Sequence, residues 1–117
     1  GQLGIGRKAD VGNTPGDLAA AGSRVQLTAL ATDLSCGYTH CCVALQGGQV
    51  KCWGGNDRGQ LGQGHTSDIG TLSARLGSGL PNVALALAAN ERIRAVRAFA
   101  NTSCAHSSLG QVNCWGA

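Results

Sequence analysis

Six cysteines in 117 residues are the first candidates for chemistry. That density is unusual in a reducing compartment, so it points to cystines or to metal ligation. Cys36, His40 and Cys42 crowd one short stretch and would need one further ligand to hold zinc. Neither CxxC nor HxxxH spacing occurs, however, and the metal expectation is none. His40, His65 and His106 do not converge on a nucleophile, and Ser35, Ser103 and Ser107 lack the GxSxG elbow. The GxLGxG stretches at Gly1 and Gly59 lack the preceding strand, following helix and acidic residue of a dinucleotide loop. The expectation is therefore no catalytic residue, no cofactor and no enzyme. Glu91 to Arg97 is the densest charged patch. Strand alternation puts Arg92 and Arg94 on one face and Arg97 on the other. Such a patch solvates a strand edge, or meets an acidic or phosphate-bearing partner. With a net charge of +3 and few aromatics, nucleic acid is a poor match.

The elements that hold these residues are glycine-rich. Nineteen glycines and a charged fraction of only 13% disfavour long helices, since an interior glycine costs a helix about 1 kcal/mol relative to alanine. The longest apolar run, Val83 to Ala89, is far below the roughly 20 residues of a membrane span. The chain starts at Gly1 without methionine or a secretory signal, which reads as a processed chain or a piece of a longer one.

Internal self-similarity organises the rest. Gly1-Gln2-Leu3-Gly4-Ile5-Gly6 returns as Gly59-Gln60-Leu61-Gly62-Gln63-Gly64, and Val25-Gln26-Leu27 as Val83-Ala84-Leu85. Thr39 and Cys41 recur as Thr102 and Cys104, and Gln49 to Gly54 as Gln111 to Gly116. That alignment divides the chain at 1–58 and 59–117, the second repeat truncated. Val25 to Leu30 reads as a strand. Ile93, Val96 and Phe99 have helical spacing, but the repeat register puts a strand near Val96. Cys41 to Leu45 and Gln49 to Trp53 form a hairpin; so do Cys104 to Ser107 and Gln111 to Trp115, around Ser108-Leu109-Gly110. With Gln46-Gly47 as the first turn, Cys41 faces Cys52, and Cys104 faces Cys114 across the second. Both pairs are expected to be cystines. Cys36 and Cys42 are then left over, to pair with each other or, as expected, to stay as small buried apolar residues.

Residues 52 to 64, Cys-Trp-Gly-Gly-Asn-Asp-Arg-Gly-Gln-Leu-Gly-Gln-Gly, resemble the signature of the regulator of chromosome condensation repeat. Cys36 to Leu45 resembles the block that precedes it in that family, and residues 4 to 27 its cysteine-bearing, long-loop variant. The resemblance implies an all-β fold: about two blades of a β-propeller, with four short strands each. It assigns structural roles to His40, Trp53, Gly54, Asn56, Gly59, Gln60, Leu61, Gly62 and Trp115. In the second copy Ser103 stands at the place of His40, and Ala100 at that of Gly37.

The expected function is a non-enzymatic scaffold for a protein partner, with Arg92, Arg94 and Arg97 as candidate contact residues. Long loops over 6–24 and 65–81 would carry the recognition. The alternative is guanine-nucleotide exchange on a small Ran-like GTPase, an activity present in the family. Neighbouring blades would come from a longer parent chain, or from other copies joined head to tail. No membrane partner is expected, and the cysteines favour an extracellular or otherwise oxidising compartment.

Overall fold

The computed structural model describes every residue except Ala20. Its strands are β1 (Ala31–Cys36), β2 (His40–Leu45), β3 (Val50–Gly54), β4 (Ile93–Phe99), β5 (Thr102–Ser107) and β6 (Val112–Gly116). They form two antiparallel sheets of three strands, ordered β1-β2-β3 and β4-β5-β6. The fold is all-β, as expected, but neither sheet has a fourth strand among the described residues. Only single bridges flank β3, Lys51 to Asn82 and Gly54 to Ile69. The segment that would supply a longer ladder contains Gly70, Gly77, Gly79 and Pro81 and turns into two short 3-10 helices, Ser73–Arg75 and Gly77–Gly79. Proline has no N–H to give to a ladder. Val25 to Leu30 is irregular too, with the Gln26 carbonyl accepting the N–H of Gly77.

The ambiguous stretch is strand β4, and its helix-like spacing has a local cause. A bulge separates the pairs Ile93–Ser107 and Ala95–His106, so that Ile93 and Val96 are both buried although three residues apart. The same bulge interrupts the alternation that would divide the arginines between two faces. Sheet β1-β2-β3 has an equivalent bulge between Ala31 and Asp33.

The first hairpin corrects the cystine assignment. Leu45 N–H donates to Gln49 O at 2.8 Å and Gly48 N–H to Leu45 O at 2.9 Å, closing a three-residue loop at 46–48. Gly47 and Gly48 take φ of +101° and +88°, which a side chain would resist. Compared with a turn at Gln46-Gly47 alone, the extra residue moves the register by one. Cys42, not Cys41, therefore stands opposite Cys52 and is bonded to it. Cys41 faces Trp53 on one side and Cys36 on the other, and forms its disulfide with Cys36. Cys104 is bonded to Cys114. No cysteine is free among the described residues. With this register the strands of the two sheets correspond at a constant offset of 62, from the pairs Cys42–Cys52 and Cys104–Cys114. Thr102 then takes the place of His40, Ser103 that of Cys41 and Phe99 that of Gly37.

The sheets stack through β1 and β4. Asp33 Oδ2 accepts the Val96 N–H at 2.9 Å, and Ser35 Oγ accepts the Ala98 N–H at 2.8 Å. Tyr38 N–H donates to Ala100 O at 3.0 Å. The core fills the space behind this seam with Cys42, Ala44, Val50, Cys52, Val96 and Ala105.

A buried polar chain crosses the same seam. His40 Nε2 lies 2.8 Å from Ser103 Oγ, whose hydroxyl donates to Gln60 O at 2.8 Å. With its proton committed, Ser103 must accept from His40, which places the imidazole hydrogen on Nε2. Trp115 Nε1–H donates to the same Gln60 carbonyl at 2.9 Å. His40 Nδ1 is buried and has no partner among the described residues. Burial holds the His40 pKa below its ordinary value of 6.5.

In Cys36→Ala, iodoacetamide should label Cys41 and leave Cys42 unlabelled in tandem mass spectra; label on Cys42 would restore the Cys41–Cys52 pairing. The His40 shift also carries a pH signature. Below about pH 6.5 the unfolded chain takes up a proton that the folded chain resists, so stability is full above that pH and declines below it. Urea midpoints should fall between pH 7 and pH 5. His40→Leu should flatten this decline while lowering stability at pH 7 by about 1–3 kcal/mol, because Ser103 loses its buried donor.

Candidate functional site

The glycine-asparagine segment after β3 is a linker that locks the second sheet to the first. Asn56 is fully buried. Its Nδ2 donates to His65 O at 2.8 Å and Ser67 O at 3.0 Å, while Oδ1 accepts Leu61 N–H at 2.9 Å. Asp68 Oδ1 accepts the Asn56 N–H at 2.9 Å. One amide thus satisfies three backbone groups of the 56–67 loop. Gly59 N–H donates to Asn56 O, and Gly62 N–H to Gly59 O, each at 3.0 Å. The Gln60 side chain accepts Arg58 N–H and donates to Asp57. A Cβ on Gly62 would sit 2.9 Å from Trp115 Nε1, so only glycine lets the linker lie against that ring. Gly4 meets Trp53 in the same way, and Trp53 Nε1–H donates to Gln2 O at 2.9 Å. Gly54 ends β3 and bridges to Ile69. These residues pack or bond the loops against the two sheets.

The arginines separate. Arg97 Nη1 reaches Asp33 Oδ2 at 2.9 Å and is thereby tied to the seam. The Val96 N–H and, after it, Arg97 hold the Asp33 carboxyl below the usual carboxylate range. Arg92 and Arg94 lie at the opposite end of β4, beside the 46–48 turn, where they line a cavity of about 340 Å³. A smaller cavity of about 260 Å³ lies among the N-terminal residues from Gly1 to Asp10. His65 sits in the Asn56 loop and His106 is exposed on β5. The three histidines are not brought together. Among the described residues no three of His, Cys, Asp and Glu cluster as metal ligands, and no helix is long and apolar enough to cross a membrane.

Sequence reasoning missed several residues at these joints. Asp33 and Ser35 cap a neighbouring sheet, a role set by a contact 63 residues away. Lys51 is buried in β3, donates to the Leu80 carbonyl, and has its pKa lowered by burial. A lysine between Val50 and Cys52 reads in sequence as an outward residue, so no local signal marked it. Tyr38 and Phe99 form an exposed aromatic pair, ring centroids 6.4 Å apart, at the other end of the seam. Ala100 beside them has φ +49°, the one non-glycine with positive φ among the described residues.

Comparison with known proteins agrees with this architecture. Residues 31–60 match the family model of the regulator of chromosome condensation (RCC1) repeat. X-linked retinitis pigmentosa GTPase regulator from Homo sapiens is 32% identical over 116 residues, covering 99% of this chain and 10% of that protein. Ultraviolet-B receptor UVR8 from Arabidopsis thaliana is 35% identical over 68 residues, 58% of this chain and 14% of that protein. The chain thus spans only about a tenth of the length of these curated relatives. Among solved structures, Prp20p from Saccharomyces cerevisiae, described with its binding to Gsp1p and histones, matches at TM-score 0.57 and 25% identity over 71% of this chain and 18% of its own. Human WBSCR16 matches in fold at TM-score 0.65 and 21% identity, over 98% of this chain and 27% of its own. The repeated motif, the paired three-stranded sheets and these likenesses agree: the chain belongs to the regulator of chromosome condensation repeat family and has the fold of its β-propeller blades.

Proposed function

We propose that the chain is a non-enzymatic propeller segment serving as a protein-interaction scaffold, with blades at 1–58 and 59–117, in an oxidising compartment. The observation that carries this reading is the contrast between a cross-bonded seam and the irregular segments around it. The described residues of 1–30 and 55–92 contain no strand, yet they are anchored at defined points by Asn56, Gln60 and the tryptophans. Loops held on a rigid frame can recognise a partner at small entropic cost. Relatives support a protein as the partner: Prp20p is described as binding Gsp1p and histones, and a further structure holds Kap60 bound to yeast RCC1 (Prp20). The three disulfides fit an oxidising compartment.

Further blades belong to the same reading. Val50, Leu61 and Val96 are at most 1% exposed at the internal seam, whereas their counterparts Val112, Leu3 and Leu34 are 63%, 46% and 59% exposed. The positions covered between the two sheets are the ones left open at either end. A neighbouring blade, from a parent chain or another copy head to tail, would cover them.

The alternative, nucleotide exchange on a Ran-like GTPase, draws on family membership and on Prp20p. A release assay with fluorescent GDP on a Ran-type GTPase separates the two, and we expect no acceleration by this chain; accelerated release would establish the exchange reading instead. The open faces have their own test in urea unfolding of the 117-residue chain. Val112→Asp should shift stability by no more than about 0.5 kcal/mol. Val50→Asp should cost about 3 kcal/mol or more by burying an unpaired carboxylate. Equal losses would mean that Val112 is already covered.

A further inference from the structure

Arg92 and Arg94 stand out once the sheets are set in register. At the offset of 62 they correspond to Leu30 and Thr32 of the first repeat, and the backbone at these positions is held alike. Gln46 N–H donates to Leu30 O at 2.8 Å, and Ser108 N–H donates to Arg92 O at 2.8 Å. Two arginines therefore occupy places that the scaffold does not require to be charged.

Their surroundings are organised. Arg92 N–H donates to Ser108 Oγ at 3.1 Å, so the backbone of Arg92 is gripped at both its donor and its acceptor. A Cβ on Gly48 would lie 2.6 Å from Arg92 Cβ, and Ile93 N–H donates to Gly48 O at 3.2 Å. The arginine segment thus sits directly against the first hairpin turn, and the trough between them spans the two sheets. Leu45 and Ile93 form its apolar floor; Thr32, Gln46 and Ser108 supply polar rims. No carboxylate lines it. Neither Arg92 nor Arg94 has an ion pair among the described residues, in contrast to Arg97 with Asp33 and Arg58 with Asp57. The adjacent Glu91 is turned to the Ala88 N–H at 2.9 Å, and its pKa is lowered by hydrogen bonding from the Ser107 side chain and Ala88.

We propose that this trough, Arg92 and Arg94 facing the 46–48 turn, is a docking groove for an extended acidic segment of a protein partner. Guanidinium groups match carboxylates with two parallel hydrogen bonds, and two unpaired ones over an apolar floor favour side chains that carry charge at intervals. Ser108 Oγ accepts from Arg92, which leaves its own hydrogen to give to a bound carboxylate or carbonyl. A volume of about 340 Å³ exceeds what a lone tetrahedral anion fills and falls at the small end of ligand sites, roughly 300–1,000 Å³. The groove rests on the scaffold reading and adds the chemistry of its partner.

The test uses the 117-residue chain and a fluorescein-labelled peptide of alternating glutamate and glycine, with the glutamine peptide as its neutral counterpart. Anisotropy should show saturable binding of the glutamate peptide alone. Affinity should fall about tenfold in Arg92→Gln/Arg94→Gln and stay unchanged in Arg7→Gln/Lys8→Gln, which removes the same charge from the N-terminal loop. Amide shifts in nitrogen-15 spectra should centre on residues 46–48, 92–94 and 108, and the same spectra verify that each variant is folded. Equal binding by the double variant, no binding at all, or equal loss in the Arg7/Lys8 control would overturn the proposal. Inorganic phosphate that shifts the same amides and displaces the peptide at equal concentration would also overturn it, in favour of a small-anion site. None of these failures bears on the scaffold reading, which is judged by nucleotide release and by the stability of the open-face variants.

Discussion

Strand β4 has a backbone problem that the rest of the structure solves. It is the edge of its sheet, bonded to β5 along one side, and its other side points into the seam with the first sheet. Buried N–H groups on such an edge must find acceptors or weaken the fold by about 1–3 kcal/mol each. Asp33 and Ser35 provide them, one carboxylate and one hydroxyl spaced two residues apart on β1, meeting Val96 and Ala98 spaced the same way on β4. The period of two along both strands makes the match. It also fixes the stagger of one sheet on the other, and through that stagger the approach of His40 to Ser103 and of the 46–48 turn to Arg92.

The seam is asymmetric, and the asymmetry has consequences. In the second sheet the places of Asp33 and Ser35 are taken by Ala95 and Arg97, by the offset of 62. Alanine offers no acceptor, and Arg97 turns back to Asp33. The capping device that joins these two sheets is therefore not a generic property of the repeat. It identifies the second sheet as the proper neighbour of the first, in the manner that charged and polar residues give register to otherwise interchangeable apolar surfaces. The apolar contacts are the generic part: Val50 and Val112, Leu61 and Leu3 keep their character in both copies whether covered or not.

Much of this was legible in the chain, and what was not fails for physical reasons. Glycine, tryptophan and the GQLG blocks report backbone geometry that only those residues tolerate, so the repeat and the all-β fold could be read directly. Asn56 and Gln60 came with them. Hairpin register was harder, because the tract Gln46-Gly47-Gly48 suits a loop of two residues or of three. A single residue of loop exchanges one cysteine partner for another when Cys41 and Cys42 are adjacent. The second hairpin, with one glycine at Gly110, offered no such choice. Strand number failed for a different reason. The residues beside β3 pair at isolated points, held by tertiary packing of Leu80 and Val83 rather than by any local β pattern. Asp33, Ser35 and Lys51 were invisible because their partners are set by the neighbouring sheet or by a distant loop.

A repeat protein offers its own control for reading function. Where both copies keep a residue, the shared joint explains it; where they diverge, the joint is excused and another cause is needed. Lys51 against Asn113 diverges, yet Lys51 is buried and spent on the Leu80 carbonyl, so its cause is internal. Asp33 against Ala95 diverges because Asp33 caps β4 at the seam, so its cause is internal too. Arg92 and Arg94 against Leu30 and Thr32 diverge with neither excuse: among the described residues their side chains form no ion pair. Two exposed cations on a braced backbone are left without a partner of opposite charge among the described residues. A carboxylate from outside would supply that partner, so the unexplained charge in this scaffold lies where an acidic segment would be drawn.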